Sequence, residues 1–537
     1  MFLLFQWMLL LITLFTLHNL VAQTPDGRNL FQNLSLHLSR ERTGLIGRNG
    51  TGKSTLLRII AGEIPPAGGS LTAHGKLGFL HQIADERHET VADLFGVTEQ
   101  LTAQARILAG EGSGEDLAEA DWTLETRIDD ALAKMGLPDL NPQTMLDTLS
   151  GGQKTRAALA ALIFQEADLI LLDEPTNNLD AQGREAVLQL LRNWRGGALV
   201  VSHDRTLLRE MDRIVELTPI GVSTYGGNWD FYEARKAEEL AAAQHDLAVA
   251  ETSVKQAEKQ ARLIKERQEK RDSAGKKSRF SAGQSKLLLD AKADRAQATG
   301  GRNNLLALKQ AESGQQALSE AQSKIERLIP QNFNIGAVSL PATKTVLTAD
   351  NLTFAYHADK PVFQNLSLQI TGPERIALCG RNGSGKTSLL HLLAGKLTPQ
   401  QGTVQWYVDY AMLDQHVSLL DPALNISDNF KRIHPKASDN DCRAALARFM
   451  FRADAALQNV AELSGGEKLR AGLACVLGGV HAPELLILDE PTNHLDIVAL
   501  QSVETALNAY QGALLITSHD EVFLNAIGIT RRINLSD

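Results

Sequence analysis

The octapeptide Gly47-Arg48-Asn49-Gly50-Thr51-Gly52-Lys53-Ser54 fits the phosphate-loop pattern G-x-x-x-x-G-K-[ST]. Gly380-Arg381-Asn382-Gly383-Ser384-Gly385-Lys386-Thr387 fits it again, 333 residues later. Glycines let the backbone curl so that successive N–H groups converge on an anion. The helix that follows, opening at Thr55 or Ser388, adds the positive end of its dipole. Lys53 and Lys386 are placed to reach β- and γ-phosphates, and the Ser54 and Thr387 hydroxyls to ligate Mg²⁺. Such a loop needs a buried strand before it and a helix after it. Two copies therefore predict two α/β halves, each with an ATP site.

A chain of 537 residues exceeds one core. Its net charge of −9 gives no global reason to expect nucleic acid. Cys379, Cys442 and Cys475 form no metal-like cluster, and an odd count argues against a disulfide framework. A reducing, cytoplasmic setting is expected. Residues 1–17 are nearly all apolar, and Val21-Ala22-Gln23 could pass for a cleavage site. Yet no Lys or Arg precedes Arg28, and the run is short of the roughly 20 residues of a spanning helix. Leu14 to Ser35 aligns without gaps to Val346 to Ser367. We therefore expect Leu14 to Val21 to be a domain's first strand, and residues 1–13 to be an extension from a start assigned too early. A secreted or anchored form is the alternative.

Along the first copy, strands are expected at Leu30 to Leu38, Thr43 to Ile46 and Lys76 to Leu80, the last ending at Gln82. In the second copy Tyr410 to Leu413 ends at Gln415, and the lysine-to-glutamine spacing is 29 residues in both. The copies then diverge by 19 residues around Thr98 to Asp121, read as an added helical arm broken at Gly110 to Gly114. Leu149-Ser150-Gly151-Gly152-Gln153 is matched by Leu463-Ser464-Gly465-Gly466-Glu467. Apolar strands end at Asp173-Glu174-Pro175-Thr176 and Asp489-Glu490-Pro491-Thr492, and two more at Ser202-His203-Asp204 and Ser518-His519-Asp520.

Between the copies, residues 229–341 lack apolar strands and are rich in helix formers. Helical halves at Asp230 to Lys270 and Leu287 to Leu328 would make an antiparallel hairpin with its tip at Arg271 to Arg279. Lys255 to Arg302 carries 14 Lys and Arg against 6 Asp and Glu. Lys265, Arg267, Lys270, Arg271, Lys276, Lys277 and Arg279 are its candidate nucleic-acid contacts. The bland alternative is a solvated spacer.

These motifs, in this order and present twice, resemble the ATP-binding cassette family. Two cassettes on one chain, a charged helical linker and an arm in the first cassette resemble its ABC-F subfamily. Phe280 to Leu289 is similar, less specifically, to linkers of that kind. The resemblance implies an α/β fold of two P-loop cassettes, residues 14–228 and 342–537, joined by the hairpin at 229–341. It implies no fused membrane domain, a monomer whose cassettes pair with each other, and an ATPase using ATP and Mg²⁺. It implies that Ser150, Gly151 and Gly152 complete the site of Lys386, and Ser464, Gly465 and Gly466 that of Lys53. Asp173 and Asp489 would bind Mg²⁺, Glu174 and Glu490 polarise the attacking water, His203 and His519 contact the γ-phosphate, and Gln82 and Gln415 touch metal and water. Many ABC-F proteins act on translation at the ribosomal tRNA exit site, and some protect ribosomes from antibiotics. Ribosome and tRNA are thus the expected partners. A DNA-associated factor and the ATPase subunit of a transporter are the competing readings. Cassettes commonly stack adenine on an aromatic near the first strand. Tyr356 fits that position in the second copy, whereas the first has Thr24. Unequal sites are expected.

Overall fold

The structure is a computed structural model that describes residues 13–24, 26–80, 89–177, 179–218, 221–279, 316, 338, 340–356, 361–479, 481–493 and 495–535. Side chains of the long helix Trp229–Arg279 are described through Gln256 and at Lys259, Arg262, Leu263 and Glu266. One compact unit is formed by Met1–Phe231 with Pro330–Asp537, and a second by Tyr232–Ile329.

The strands of the first half are β1 (Phe15–Gln23), β2 (Asn29–Leu38), β3 (Arg42–Ile46), β4 (Gly68–Ala73), β5 (Leu77–Leu80), β6 (Leu169–Asp173), β7 (Gly197–Val201), β8 (Arg213–Thr218) and β9 (Gly221–Gly226). One antiparallel sheet has the order β2-β1-β4. The other runs β5-β6-β7-β3-β8-β9 and is parallel except at β8–β9. The second half repeats the plan with β10 (Thr345–Phe354), β11 (Phe363–Thr371), β12 (Arg375–Cys379), β13 (Gln401–Trp406), β14 (Tyr410–Leu413), β15 (Leu485–Asp489), β16 (Ala513–Thr517) and β17 (Arg531–Asn534). Its sheets are β11-β10-β13 and β14-β15-β16-β12-β17.

Central strands of a parallel sheet are covered on both faces, so they read as unbroken apolar runs. Leu169, Ile170, Leu171 and Leu172 of β6 are wholly buried, as are Leu485 to Leu488 of β15. Each such side chain contributes about 1.5–3 kcal/mol relative to exposure. Leu14, Phe15, Leu17 and Leu20 share the core of the first half with Leu169 and Leu171. The apolar stretch from Leu14 is therefore core strand, extending two residues past the expected end at Val21.

Parallel order puts the C-terminal ends of β3, β6 and β7 side by side, the rim where open α/β sheets bind ligands. The helix Lys53–Ile60 follows β3 and is opened by Gly52 at φ 92°; Lys386–Leu393 follows β12 and is opened by Gly385 at φ 90°. Only glycine takes that backbone freely, and a Cβ at 385 would also run into Val362.

In the arm, the helices Thr98–Leu108 and Gly114–Glu119 flank a break at Gly110 to Ser113, where Ser113 and Asp116 form a capping box. The expected linker tip differs. Arg271 to Arg279 is not a turn but the last part of the 51-residue helix Trp229–Arg279. One glycine, Gly275, costs about 1 kcal/mol against Ala, too little to end a run of Ala, Lys and Arg. The second expected half, Leu287 to Leu328, lies outside the described residues except for Gln316, which is helical.

Candidate functional site

In the first half, the Lys53 ammonium is buried beneath its loop and donates to the carbonyls of Gly47 (2.8 Å) and Arg48 (3.2 Å). Burial holds its pKa down, against the pull of Glu174, Asp496 and Asp173. Asp173, at the end of β6, accepts from the Ser54 hydroxyl, while its burial raises its pKa. Glu174 follows at φ 47°, a left-handed backbone that a non-glycine residue adopts at a cost. Its Oε1 lies 3.3 Å from His203 Nε2 without hydrogen-bond geometry, and both atoms are buried. Burial pushes the Glu174 carboxyl well above its usual range and the His203 imidazole down to about 3.

The second half reproduces this. Lys386 donates to Gly380 (2.8 Å) and Arg381 (3.1 Å) carbonyls. Glu490 also stands at φ 47°, with Oε1 3.5 Å from His519 Nε2. Burial raises Glu490 to about 7 and lowers His519 to about 4. Asp489 instead accepts from Thr517 Oγ1 (2.7 Å), and the Ser384 hydroxyl inside the loop is buried without a hydrogen-bond partner.

Asn49, Ser54, Asp173, Glu174, Arg184 and His203 face Thr492, Asn493, Leu495, Leu500 and Asp520 across a cavity of about 180 Å³. The Asn49 N–H in the first phosphate loop donates to Asp496 Oδ2 of the second half (2.9 Å). Asp180, the counterpart of Asp496, acts electrostatically on Lys386. The loop after the second half's paired carboxylates thus lies against the first phosphate loop, and the matching aspartate of the first half acts by charge on the second loop's lysine. Arg205 adds a buried bidentate pair to Glu504 of the second half (2.8 and 3.1 Å).

Ser150 and Ser464 each cap their own helix. Ser150 Oγ donates to Gln153 Oε1 and accepts from Gln153 N; Ser464 does the same with Glu467. Arg470, on the helix that Ser464 opens, feels the charges of Arg48 and Asp496 at the first loop. Tyr356 is largely exposed, shares a 2.9 Å hydrogen bond with Ser388 Oγ and stands edge-on to Phe354. Thr24 instead closes a turn with Arg28. Gln415 is exposed beyond β14, while Gln82 lies outside the described residues. So do the side chains of Lys265, Arg267, Lys270, Arg271, Lys276, Lys277 and Arg279. Sequence reasoning passed over Arg184, Arg205, Glu504 and Thr517. The signal for all four is that the copies differ there: Leu500, Glu521, Leu188 and Val201 stand at the matching positions.

The Ser54 hydroxyl and the Asp173 carboxylate that accepts from it are hard oxygen donors that suit Mg²⁺, which keeps waters and takes phosphate oxygens rather than a full protein cage. Among the described residues no group of three or more His, Cys, Asp or Glu is placed to hold a metal ion.

The family described as ABC transporter matches residues 31–177 and 363–493, over half of the chain. The tylosin resistance ATP-binding protein TlrC of Streptomyces fradiae is 31% identical, over 93% of this chain and 93% of its own. ABC transporter F family member 5 of Arabidopsis thaliana is 28% identical, over 96% of this chain and 74% of its own. The chain belongs to the ABC-F subfamily of ATP-binding cassette proteins. It is a tandem-cassette ATPase with two ATP-binding halves. A solved structure of the archaeal ribosome recycling factor aABCE1, in complex with a ribosomal stalk protein, covers 95% of this ABC-F chain and 86% of its own, with TM-score 0.54 and 18% identity. That likeness is one of fold. Among the described residues no helix is long and apolar enough to cross a membrane.

Proposed function

We propose that this ATPase couples the opening and closing of its two cassettes, residues 14–228 and 342–537, to engagement with the ribosome, with tRNA nearby, in the cytoplasm. The observation that carries it is the seam: Asp496 on the first phosphate loop, Asp180 acting electrostatically on Lys386, and the Glu174–His203 pair at the cavity between the halves. A site finished by the opposite half closes when ATP bridges the halves and opens when the γ-phosphate leaves.

In each site the loop amides and Lys53 or Lys386 hold the β- and γ-phosphates. Mg²⁺, held by Ser54 with Asp173 and by Thr387 with Asp489, would neutralise phosphate charge. Gln82 and Gln415 orient the water. Glu174 or Glu490, aimed inward by its left-handed backbone, takes that water's proton as its oxygen attacks the γ-phosphorus and ADP leaves. His203 or His519, kept neutral by burial, hydrogen-bonds the γ-phosphate. Ser150 or Ser464 and the glycine amides after it hold the same phosphate from the opposite cassette. Tyr356 stacks on the base in the second site. The linker 229–341 carries the basic residues from Lys265 to Arg279 to ribosomal or tRNA phosphates. The recycling-factor fold neighbour, solved with a ribosomal stalk protein, supports this partner class.

The test is sedimentation of the E174Q/E490Q protein with ATP through a sucrose gradient. Turnover should fall at least about a hundredfold, and the protein should travel with ribosomes under ATP but not under ADP. Replacing Lys276, Lys277 and Arg279 by Gln should flatten the salt dependence of that binding by about 0.7–0.9 for each phosphate no longer neutralised. Travel with DNA or membranes, or none at all, would discard the ribosomal reading and leave the ATPase.

A further inference from the structure

His203, the γ-phosphate contact of the proposed mechanism, has both ring nitrogens buried without a hydrogen-bond partner. The ring's place is therefore set by the backbone that carries it. That backbone leaves β7 at Val201 and enters the one-turn helix Arg205–Leu208. Ser202 Oγ accepts from the Asp204 N–H at 3.0 Å, and Asp204 Oδ1 accepts from the N–H groups of Thr206 and Leu207. These bonds are local, and two anchors reach the segment from further off. Within the first cassette, Arg184 Nη1 lies 3.2 Å from Asp204 Oδ2. From the second cassette, Glu504 Oε1 and Oε2 accept from Arg205 Nη1 and Nη2 at 2.8 and 3.1 Å. Both of these side chains are largely buried. A two-point fork of this kind fixes direction as well as distance. It grips the chain two residues past the histidine.

Glu504 belongs to a face of the helix Ile497–Ala509 that is laid along the first site. Asp496, which caps this helix, accepts from the Asn49 N–H of the first phosphate loop at 2.9 Å. Leu500 lines the same cavity as Glu174 and His203. Spaced by four, Asp496, Leu500 and Glu504 share one side of the helix. One element of the second cassette thus meets the first site at its phosphate loop and again behind its histidine. The matching face of the helix Ala181–Asn193 is built differently. Arg184 turns to Asp204 of its own cassette, and Leu188 is buried at the place of Glu504. Glu521, at the place of Arg205, pairs with Arg532 of its own cassette. Among the described residues the fork has no counterpart behind His519.

We propose that Glu504 is a positioning residue for the first ATP site: from the opposite cassette, and through Arg205, it sets where His203 stands, and the second site has no such device. The inference rests on the assignment of Glu174 and Glu490 as bases and of His203 to the γ-phosphate. Those assignments are read before Glu504 is changed. Retained hydrolysis in the E174Q/E490Q protein, or an unchanged first-site kcat when His203→Ala is added to E490Q, would overturn the assignment and this inference together.

With that established, E490Q leaves only the first site active and E174Q only the second. Glu504→Gln keeps the size of the side chain and removes the charge that holds the fork. In the E490Q protein it should lower kcat about tenfold. In the E174Q protein kcat should stay within about twofold. KM for ATP should rise by the same factor in both, because one seam builds both sites. Arg205→Lys, which keeps the charge and gives up the fork, should show the same bias at smaller size. In the E490Q protein that also carries His203→Ala, Glu504→Gln should cost less than about twofold in single-turnover hydrolysis, since the group it places is gone. Equal falls of kcat in the two backgrounds, a fall confined to the E174Q protein, no fall at all, or a further tenfold loss on top of His203→Ala would each overturn the proposal. Equal falls would leave the pair as a link that only holds the halves together.

Discussion

The two cassettes agree where phosphates are handled and differ where the halves meet and the base would lie. Both phosphate-loop lysines bond the same two carbonyls of their own loops. Both glutamates stand at φ 47°, with a histidine 3.3 or 3.5 Å away. Both LSGG serines close a capping box. These features are dictated by backbone geometry, which tolerates little substitution. Around them Tyr356 faces Thr24, Thr517 faces Val201, Arg184 faces Leu500, and the Arg205–Glu504 pair faces Glu521 and Leu188. A duplicated machine can thus keep one chemistry and still run two unlike sites.

The sharpest way to break the symmetry is at Arg205. Its side chain is 7% exposed and forks onto Glu504 across the seam, while Glu521 at the matching place pairs with Arg532 in the open. Removing one partner of a buried pair leaves an uncompensated charge and costs about 3–5 kcal/mol. An exposed pair contributes about 0–1 kcal/mol. Arg205→Ala should therefore weaken ATP-dependent closure of the E174Q/E490Q protein by about a hundredfold or more, whereas Glu521→Ala should barely alter it. Titration of closure with ATP by small-angle scattering separates the two. Equal midpoints would remove the seam pair from any role.

The strands and site motifs were legible because they are local. Leu169 to Leu172 is an apolar run, and the phosphate loops carry their geometry in their glycines. The seam was not, because Arg205 and Glu504 are 299 residues apart and meet only when two halves dock. Arg184 looked like one more helix-surface arginine until Asp204, 20 residues on, was seen to hold it. The linker misled for a different reason. Two helical halves read as a hairpin put its tip at Arg271 to Arg279, but helix propensity over the whole stretch outweighs one glycine. The serine of each LSGG was read for its phosphate contact. Its spacing to Gln153 or Glu467 also fits a capping box, a local signal that the sequence carried unread.

A smaller effect is expected at the base. Tyr356 presents an exposed ring anchored by Ser388, and Thr24 presents none. Stacking of a base on an aromatic ring is worth about 1–3 kcal/mol. Tyr356→Ala should weaken ATP binding at the second site by roughly tenfold, measured in a Lys53→Ala protein that binds only there. Thr24→Ala in a Lys386→Ala protein should leave first-site affinity within about twofold. Matching losses at both sites would mean the ring acts on folding rather than on the nucleotide.

The smallest contrast is the best controlled. Thr517 Oγ1 is buried, donates to Asp489 Oδ1 at 2.7 Å and accepts from the Glu490 N–H at 2.9 Å. Val201 has no hydroxyl to offer, and Asp173 is bonded by Ser54 instead. Yet the backbone tether is common to both halves: the glutamate N–H reaches the Val201 carbonyl at 2.9 Å and the Thr517 carbonyl at 3.1 Å. Thr517→Val keeps shape and tether and deletes one hydrogen bond to a buried carboxylate. That should cost about 1–2 kcal/mol of stability, a fall of a few degrees in the second cassette's melting transition, roughly 2–4 °C per kcal/mol. Turnover at the second site, followed in the E174Q protein, should drop less than about threefold, because the first half is built without this bond. An unchanged melting transition would show that Asp489 finds another donor. A hundredfold loss of turnover would show that the hydroxyl steers Glu490 itself, and that the two sites differ in their chemistry as well as their surroundings.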